Sequence, residues 1–465
     1  MPKAKKERAN AQEKGGAAPP EQKRTGQKTR AAISEALPGD TVRVACAGAE
    51  YEGLLLPGND KNNGVLPIKL PSGYNVGIKT ESIKKIEVVL KAQPKPEKQT
   101  QSSDADASIR GKYTSILACG GTIASKIDYR SGAVFPATSP QELLDSFPFA
   151  KKMNTKPRML FSLLSEDMSS SHWAKIAEAA ADEIKGGAEG IVITHGTDTM
   201  HYTSAALSFM LQNLPCPVIL TGSQRSSDRG SSDAEVNMHS SLLAAKSDLS
   251  GVYVCMHEGL SDDSCLLHFG TKARKMHTTR RDAFHSIGCL PAARVFPAKG
   301  QVQKISPRCA QRDPSKKPAL DTKANPNVAM IYSYPGIKPD AFSRLSNYDG
   351  VVAIGTGIGH LPSNCRNDPL ATSVIPAVKG LIDSGVAVVL VSQAIYGRVD
   401  MNVYAAGRAL REIGVIGHLC DLTPEAAYAK LCWVLGHEKK PEKVRTLMET
   451  DMAGEITPRS EITEY

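Results

Sequence analysis

Two apolar runs in this sequence each end in a glycine-containing loop that carries a threonine. Residues 114–117 lead into Ala118-Cys-Gly-Gly-Thr122-Ile-Ala124, and residues 190–193 lead into Thr194-His-Gly-Thr197-Asp198-Thr-Met200. A short apolar run that stops at glycine is typical of a buried strand followed by a tight turn. In an open α/β sheet, ligands bind where such strands end. The two motifs therefore predict a sheet that brings two threonine loops to one edge.

The sequence after residue 112 alternates between strand patterns and helix patterns. Strands are predicted at residues 114–117, 190–193, 218–220 and 251–255, with helices at 171–185 and 200–212. This alternation predicts an α/β fold with a mostly parallel sheet. Apolar runs at 328–332, 350–354 and 386–391 predict a second, smaller α/β lobe, separated from the first by a polar, basic break at residues 300–325.

The region before residue 91 has a different texture. Short apolar runs at 41–44, 51–56, 65–70, 74–79 and 85–90 are separated by Gly, Asn, Asp and Pro. Strands with turn signals at this spacing predict a small, SH3-like β-barrel, which we interpret as an interaction module. The expected domains are a disordered basic arm (1–35), the barrel (36–90), a linker (91–112), two α/β domains (113–325 and 326–440) and a polar C-terminal segment (441–465).

The positive charge of the chain is concentrated at its N-terminus. The net charge of the 465 residues is +9, and the nine Lys/Arg and three Glu of residues 1–30 account for +6 of it. Such an arm either attracts nucleic acid or serves as a solubilising tail. The ten cysteines are scattered singly, which predicts reduced thiols in a cytoplasmic protein. No apolar stretch of about 18 residues is present, so no membrane span is expected.

The threonine loops carry side chains suited to hydrolysing an amide. That reaction needs a nucleophile, a group that accepts its proton, and donors that stabilise the oxyanion. Thr122 and Thr197 are the candidate nucleophiles, and Asp198 is able to bind a substrate ammonium or orient a base. Lys275 is the candidate base, because the neighbouring cations Lys272 and Arg274 favour its neutral amine. These residues alone do not distinguish Lys275 from the other lysines.

Residues 113–440 resemble the L-asparaginase I/II family. The Gly-Gly-Thr-Ile-Ala run at Thr122 and the His-Gly-Thr-Asp-Thr-Met run at Asp198 are similar to the two signature motifs of that family. Lys275 stands where the family has the lysine of its Lys-x-(His/Asn)-Thr motif. Tyr129 resembles the mobile-loop tyrosine that assists the first threonine.

The resemblance implies a mechanism and a substrate site. Either Thr122, helped by Tyr129, or Thr197, activated by Lys275, attacks the side-chain amide, ammonia leaves, and water resolves the acyl-enzyme. The run Ser165-Glu-Asp-Met168 is similar to the loop that binds the substrate carboxylate. Ser165, Glu166 and Asp198 are then expected to hold the α-carboxylate and α-amino groups of the substrate.

The barrel and the loop Gly222-Ser-Gln-Arg-Ser-Ser-Asp-Arg-Gly-Ser-Ser-Asp-Ala-Glu-Val-Asn237 depart from a plain asparaginase. Both resemble the D-subunit family of archaeal glutamyl-tRNA(Gln) amidotransferases. That resemblance implies release of ammonia from glutamine or asparagine for a partner E subunit, which converts Glu-tRNA(Gln) to Gln-tRNA(Gln). It also implies a homodimer within a heterotetramer, tRNA contacts mainly through the partner, and ATP and Mg on the partner. No cofactor, metal or Walker-type phosphate loop is expected in this chain.

Two other classes of function remain open on the sequence. One is a free-standing L-asparaginase with an accessory barrel, and the other is an RNA-binding scaffold that uses the arm and the barrel. The run Gly355-Thr-Gly-Ile-Gly359 is interpreted as a tight turn, since its third glycine comes one position too early for a dinucleotide fingerprint. Arg225, Asp228, Arg229 and Asp233 form either a solvated loop or the edge of a site. The histidines at 257, 268, 277 and 285 have no metal-ligand spacing, and His195 is expected to be structural.

Overall fold

The computed structural model describes residues 36–57, 64–72, 74–91, 111–121, 123, 126–127, 134–135, 140–227 and 231–459. These residues fall into two compact units. One contains residues 36–91 and Ile127, and the other contains the described residues between 111 and 126 and those from Val134 onward. The expected arm and most of the linker lie outside the described residues.

The first unit is a five-stranded antiparallel sheet wrapped around its own core. Its strands are β1 (Thr41–Cys46), β2 (Glu50–Leu55), β3 (Val65–Lys69), β4 (Asn75–Lys79) and β5 (Ile83–Leu90), with a 3₁₀ turn at Thr80–Ser82. They pair in the order β4-β3-β2-β1-β5. Alternate residues such as Val42, Val44, Leu66 and Ile68 are fully buried, as expected where one face of each strand covers a core. The unit is consistent with the predicted small barrel.

The second unit is built on one large mixed sheet. Its parallel strands are β6 (Tyr113–Gly120), β9 (Thr155–Leu163), β10 (Ala188–Thr194), β12 (Pro217–Thr221) and β13 (Leu249–His257). Antiparallel strands β14 (Cys265–Phe269), β17 (Ala293–Phe296) and β18 (Gln301–Lys304) extend the sheet beyond β13. The full order is β18-β17-β14-β13-β12-β10-β6-β9. Shorter strands of the chain are β7 (Lys126–Ile127), β8 (Val134–Phe135), β11 (Leu211–Gln212), β15 (Ala273–Lys275), β16 (Phe284–Ser286), β19 (Ala310–Gln311) and β20 (Ala319–Leu320).

Helices cover both faces of this sheet. They are α1 (Pro140–Ser146), α2 (Pro148–Lys152), α3 (Ser170–Lys185), α4 (Met200–Met210) and α5 (Ala234–Ala245), with 3₁₀ turns at Ser165–Asp167 and Pro297–Lys299. Helix α3 begins with a capping box in which Ser169 and His172 satisfy each other's backbone N–H groups. Because both faces of the sheet are covered, its central parallel strands are almost entirely buried, and every residue of β6 and β12 is buried, whereas the edge strand β9 is only partly buried.

The strand order creates a switch point between β6 and β10. The chain leaves β6 for β9 on one side of it and then returns to β10 on the other side. Loops that leave adjacent strands in opposite directions open a crevice at the carboxyl ends of those strands. The first threonine motif follows β6 and the second follows β10. The prediction that both loops lie at one edge of the sheet is therefore confirmed, and they lie at the ends of two neighbouring central strands.

The second lobe is a three-stranded parallel sheet with its own helices. Its strands are β21 (Val328–Tyr332), β22 (Gly350–Gly355) and β23 (Ala387–Ser392). Its helices are α6 (Pro339–Ser343), α7 (Ile375–Asp383), α8 (Ala405–Glu412), α9 (Pro424–His437) and α10 (Pro441–Met448). Helix α9 packs between the two lobes and shares a continuous apolar core with α3 and α4.

The basic stretch at 300–325 is integrated into the fold, whereas its composition suggested a break. Strand β19 pairs with β13, and β20 pairs with β11. The Arg312 guanidinium donates to the carbonyl oxygens of Glu189, Ala245 and Ser247 at 2.5, 2.8 and 2.7 Å. The Arg312 side chain therefore bonds to the start of β10, the end of α5 and the loop that follows α5. The charge pattern of the sequence does not show these contacts.

Candidate active site

The two glycine loops touch each other at the switch point. Gly121 has a φ of +84°, and a Cβ there would lie 2.5 Å from the backbone nitrogen of Gly196. A Cβ on Gly196 would lie 2.7 Å from the Cβ of Ser165. Glycine is required at both positions because backbone and side chain approach too closely for any other residue. Sequence-distant loops after β6, β9 and β10 are thereby packed into one site.

Thr197, Asp198 and Lys275 form one hydrogen-bonded group. Lys275 Nζ lies 2.8 Å from Thr197 Oγ1 and 2.7 Å from Asp198 Oδ1. Thr197 is buried, the Lys275 side chain is 9% exposed, and the Asp198 side chain is 70% exposed. The group thus presents a carboxylate to solvent and a hydroxyl beneath it, and at 2.8 Å the amine is close enough to exchange a proton with that hydroxyl.

The predicted substrate loop lies beside this group. Ser165 is buried and packs against Gly196, whereas Glu166 is exposed. The hydroxyl of Thr199 donates to the carbonyl oxygen of Ser165 at 2.7 Å. This bond ties the loop after β9 to the motif after β10.

His195 supports the second motif from inside the protein. The ring is fully buried, Nδ1 donates to the carbonyl oxygen of Gly196 at 2.7 Å, and Nε2 accepts from the hydroxyl of Thr203 at 2.9 Å. Burial lowers the pKa of His195 to about 4, against the hydrogen bond to Gly196, so the ring is neutral. Its role is structural, as the sequence suggested.

The strand that carries Lys275 is held by carboxylates of the second lobe. Lys272, which is fully buried, donates to Asp421 Oδ2 at 2.9 Å, and Arg274 lies 3.3 Å from Glu425. The two cations expected to influence Lys275 are therefore each paired with an acid. Neither Asp421 nor Glu425 carried a signal in the sequence, because both depend on contacts between the lobes.

The loop after β12 also lines the site, beside Thr197. A Cβ on Gly222 would lie 2.9 Å from Thr197 Cγ2. Ser223 Oγ and Gln224 Nε2 are buried without a hydrogen-bond partner in the described part of the chain. The sequence analysis assigned these two side chains no role. The one feature that points to them is their position directly after an apolar strand, where ligand sites occur.

The charged residues of this loop are not all exposed to solvent. Asp233 is fully buried, and its carboxylate accepts from the backbone N–H groups of Gln224 and Arg225 at 3.0 and 3.1 Å. It therefore shapes the loop from within. Arg225 is exposed, with a bond to the hydroxyl of Ser231. Asp228 and Arg229 lie outside the described residues.

Two of the predicted catalytic residues, Thr122 and Tyr129, also lie outside the described residues, and their roles stay predictions. Within the described ranges, no set of three His, Cys, Asp or Glu is grouped as a metal site. Across the same ranges, no helix has the length and apolar character needed to cross a membrane.

Three domain families match the chain. Residues 36–89 match the GatD N-terminal domain, residues 114–308 match the N-terminal domain of asparaginase, and residues 327–448 match the glutaminase/asparaginase C-terminal domain. The last match continues into helix α10, where Val444 and Met448 are buried.

Solved structures share the architecture of the second unit. The thermostable L-asparaginase from Thermococcus kodakarensis is 34% identical, with a TM-score of 0.66, over 75% of this chain and 100% of that chain. L-asparaginase I from Vibrio cholerae is 28% identical, with a TM-score of 0.62, over 75% of this chain and 99% of that chain. The asparaginase-like α/β fold predicted from the sequence is confirmed.

Curated relatives extend the similarity to the barrel. The D subunit of the glutamyl-tRNA(Gln) amidotransferase of Pyrococcus abyssi is 44% identical over 440 residues, covering 92% of this chain and 96% of the relative. The same protein of Sulfolobus acidocaldarius is 40% identical over 422 residues, covering 90% of this chain and 91% of the relative. The chain therefore belongs to the family of glutamyl-tRNA(Gln) amidotransferase D subunits, whose body is an asparaginase-type amidohydrolase.

Proposed function

We propose that this chain hydrolyses the side-chain amide of glutamine or asparagine and supplies the ammonia for conversion of Glu-tRNA(Gln) to Gln-tRNA(Gln). The asparaginase domains and the D-subunit relatives make it an amidohydrolase component, which removes the RNA-binding scaffold as a class. The observation that carries the proposal is the contact of Lys275 Nζ with both Thr197 Oγ1 and Asp198 Oδ1.

The contact supports a route for the proton. A neutral Lys275 amine accepts the hydroxyl proton of Thr197 while it donates an N–H to Asp198, and the resulting alkoxide attacks the amide carbon. The tetrahedral intermediate expels ammonia as the leaving nitrogen takes a proton, and water then cleaves the acyl-enzyme. In the second route, Thr122 attacks with help from Tyr129, and Thr197 with Lys275 activates the water. Alanine variants of the two threonines separate these routes by whether an acyl-enzyme accumulates.

Substrate binding follows from the surroundings of this group. We assign the α-amino group of the substrate to the exposed carboxylates of Asp198 and Glu166, and its α-carboxylate to Ser165 and the backbone N–H groups near it. The burial of Ser165 against Gly196 supports a fixed position for its hydroxyl. Three loops at one edge of the sheet support a fixed orientation for a small amino acid.

The names of the relatives support a complex, since each is one component of an amidotransferase. We propose that an E subunit binds ATP and Mg, contacts most of the tRNA and uses the ammonia released here. We also propose a homodimer of this chain within a heterotetramer that works in the cytoplasm, where charged tRNA is consumed.

A free-standing L-asparaginase is the second candidate. It is favoured by one observation, namely that the complete L-asparaginase of Thermococcus kodakarensis aligns with 75% of this chain. The barrel at residues 36–89 argues against it, since that part matches the GatD N-terminal domain.

Ammonia release from glutamine and from asparagine tests the proposal. The chain alone is compared with the chain plus E subunit, ATP and Glu-tRNA(Gln), with Thr197→Ala as the inactive variant. Thr446→Ala is the matched control, because the Thr446 side chain is exposed on α10 and its hydroxyl donates to the carbonyl oxygen of Glu442, away from the site. A rate that rises strongly with partner and charged tRNA supports the amidotransferase role. Full turnover of asparagine by the chain alone, unaffected by partner and tRNA, supports the free-standing enzyme instead.

A further inference from the structure

The wall of the site formed by Gly222 is held from behind by Asn237. The Asn237 side-chain nitrogen donates to the carbonyl oxygen of Gly222 at 2.9 Å and to Asp233 Oδ2 at 3.0 Å. Asn237 and Asp233 are both fully buried. Gly222 packs on the Cγ2 methyl group of Thr197. The position of Asn237 therefore sets the space around the Thr197 side chain.

The orientation of the Asn237 amide is fixed by its partners. Its nitrogen faces two acceptors, and its oxygen accepts from the Cys265 thiol at 3.5 Å. The same oxygen lies 2.6 Å from Nδ1 of His257. An amide oxygen accepts only, so Nδ1 of His257 carries a proton.

The other nitrogen of His257 also faces an acceptor. Nε2 lies 3.2 Å from Oδ1 of Asp262, and that carboxylate in turn accepts from Arg281 at 2.6 Å. A neutral imidazole has one donor and one lone pair, so it would set a lone pair against the carboxylate. The imidazolium, with a proton on each nitrogen, satisfies both contacts. The ring is fully buried.

The charges around His257 agree with this geometry. Burial lowers the pKa of His257, but Cys265, Asp262 and Asp233 outweigh it, and the pKa is raised. Burial also raises the pKa of the Cys265 thiol, which is therefore neutral, so the assignment of the imidazolium rests on the contacts of its two nitrogens with Asn237 and Asp262. Arg281 opposes Asp262 through its bond to that carboxylate, while the adjacent Glu258 is paired with Arg294 at 2.5 Å.

We propose that His257 is a positioning residue that acts as a buried imidazolium, holding Asn237 and, through it, the Gly222 wall of the Thr197 site. The inference rests on the proposed amide hydrolysis. Loss of the Nε2 proton leaves a lone pair facing Asp262, which turns the ring and releases the Asn237 amide. Activity then falls as the pH rises through the pKa of His257.

The test is the pH profile of kcat and of kcat/KM for amide hydrolysis by the full chain with its partner E subunit. Asp262→Asn removes the anion that faces Nε2, and Asp263→Asn is the matched control, since Asp263 bonds only to Ser261 in the described part of the chain. We expect Asp262→Asn to move the falling limb to lower pH by about one unit, while Asp263→Asn leaves it in place. His257→Gln should lower kcat about tenfold and abolish that limb.

A second measurement does not depend on catalysis. The urea midpoint of the wild-type chain should exceed that of Asp262→Asn at about pH 5.5, and the gap should narrow as the pH rises and His257 loses its proton, leaving the part that comes from the Asp262–Arg281 ion pair. A gap that is constant between about pH 5.5 and about pH 8.5 would overturn the imidazolium. A falling limb that stays in place in Asp262→Asn would show that His257 has only a structural role. Absence of hydrolysis at every pH contradicts the proposed function instead, and the urea series still decides the state of His257.

Discussion

Lys275 Nζ lies 2.8 Å from the hydroxyl oxygen of Thr197, although Lys275 ends strand β15, Thr197 lies in the loop after β10, and the two are far apart in the sequence. The strand that carries Lys275 is fixed by Asp421 and Glu425 of the second lobe. The Thr197 loop is fixed by Gly121 and Ser165 of the first lobe. The candidate proton-transfer pair is therefore a product of both lobes.

Removal of either member of this pair should abolish most of the activity. We expect Thr197→Ala and Lys275→Ala each to lower kcat by about 10²–10⁴-fold, because general acid–base assistance has that magnitude. The double variant should be little worse than either single variant, since the two groups act as a unit. Steady-state ammonia release measures this, with Lys246→Ala as the control, because the exposed amine of Lys246 donates to the carbonyl oxygen of Met153, away from the site. A Lys275→Ala enzyme with near-normal kcat would contradict the assignment.

Close packing of the loops predicts that Gly196→Ala is harmful. Its Cβ would meet the Ser165 side chain at 2.7 Å, so we expect a loss of about 1–3 kcal/mol in the free energy of unfolding and a large drop in activity. Gly380→Ala is the counterpart, because Gly380 lies inside α7 with no atom within 4 Å of an added Cβ. That change should raise stability by about 0.5–1 kcal/mol. Urea denaturation of both variants gives the comparison.

A buried ion pair outside the site should matter for stability alone. Lys430 and Glu455 are both fully buried, with their charged atoms 2.5 Å apart. Glu455→Gln leaves the lysine charge unpaired and should cost about 3–5 kcal/mol in the free energy of unfolding. The exposed pair Lys379–Asp383 is the control, and Asp383→Asn should cost less than about 0.5 kcal/mol. Equal losses in the two variants would refute the role of burial.

Buried neutral histidines predict a loss of stability in acid. Burial lowers the pKa of His195 to about 4, and burial followed by the charges of Arg274 and Lys275 lowers that of His201 to about 3. Burial also lowers the pKa of His268 to about 3. The unfolded chain, with pKa values near about 6.5, binds more protons, so stability is complete above about pH 6.5 and falls as the pH drops towards about 4.

His195 alone accounts for about 3 kcal/mol of that change, at about 1.4 kcal/mol per pKa unit. Urea denaturation between about pH 4 and about pH 7 measures the slope. His268→Gln should flatten it, whereas His277→Gln should not, because His277 is exposed. A wild-type slope near zero would mean that the buried rings are protonated in the folded protein.

The sequence was a good guide wherever one local pattern decides the structure. Strands β6 and β10 and their glycine loops were predicted because an apolar run followed by glycine has few other solutions. Lys275 was identified only through a family motif, since nothing local distinguishes it. Residues 300–325 were misread as a break because the anchor, Arg312, is a charged residue whose three partners lie on other elements.

The sequence marked the loop at 222–237 and Asp233 as features of interest, but it did not indicate how the site is supported from behind. Asp233 is the N-cap residue of helix α5 and bonds to Asn237 on the same helix, and Asn237 then meets His257 on β13. The roles of Thr122 and Tyr129, the binding roles of Ser165 and Glu166, and the domain boundaries stay predictions.

The sequence by itself determined the fold class, the order of the two lobes and the two loops on which the chemistry rests. These follow from apolar periodicity and from glycine, both of which act over a few residues. Only the tertiary structure decided which carboxylates hold the strand of Lys275 and which histidine stands behind the wall of the site. The reason is that hydrogen bonds and ion pairs depend on distances of about 3 Å between groups that the chain brings together only when it is folded.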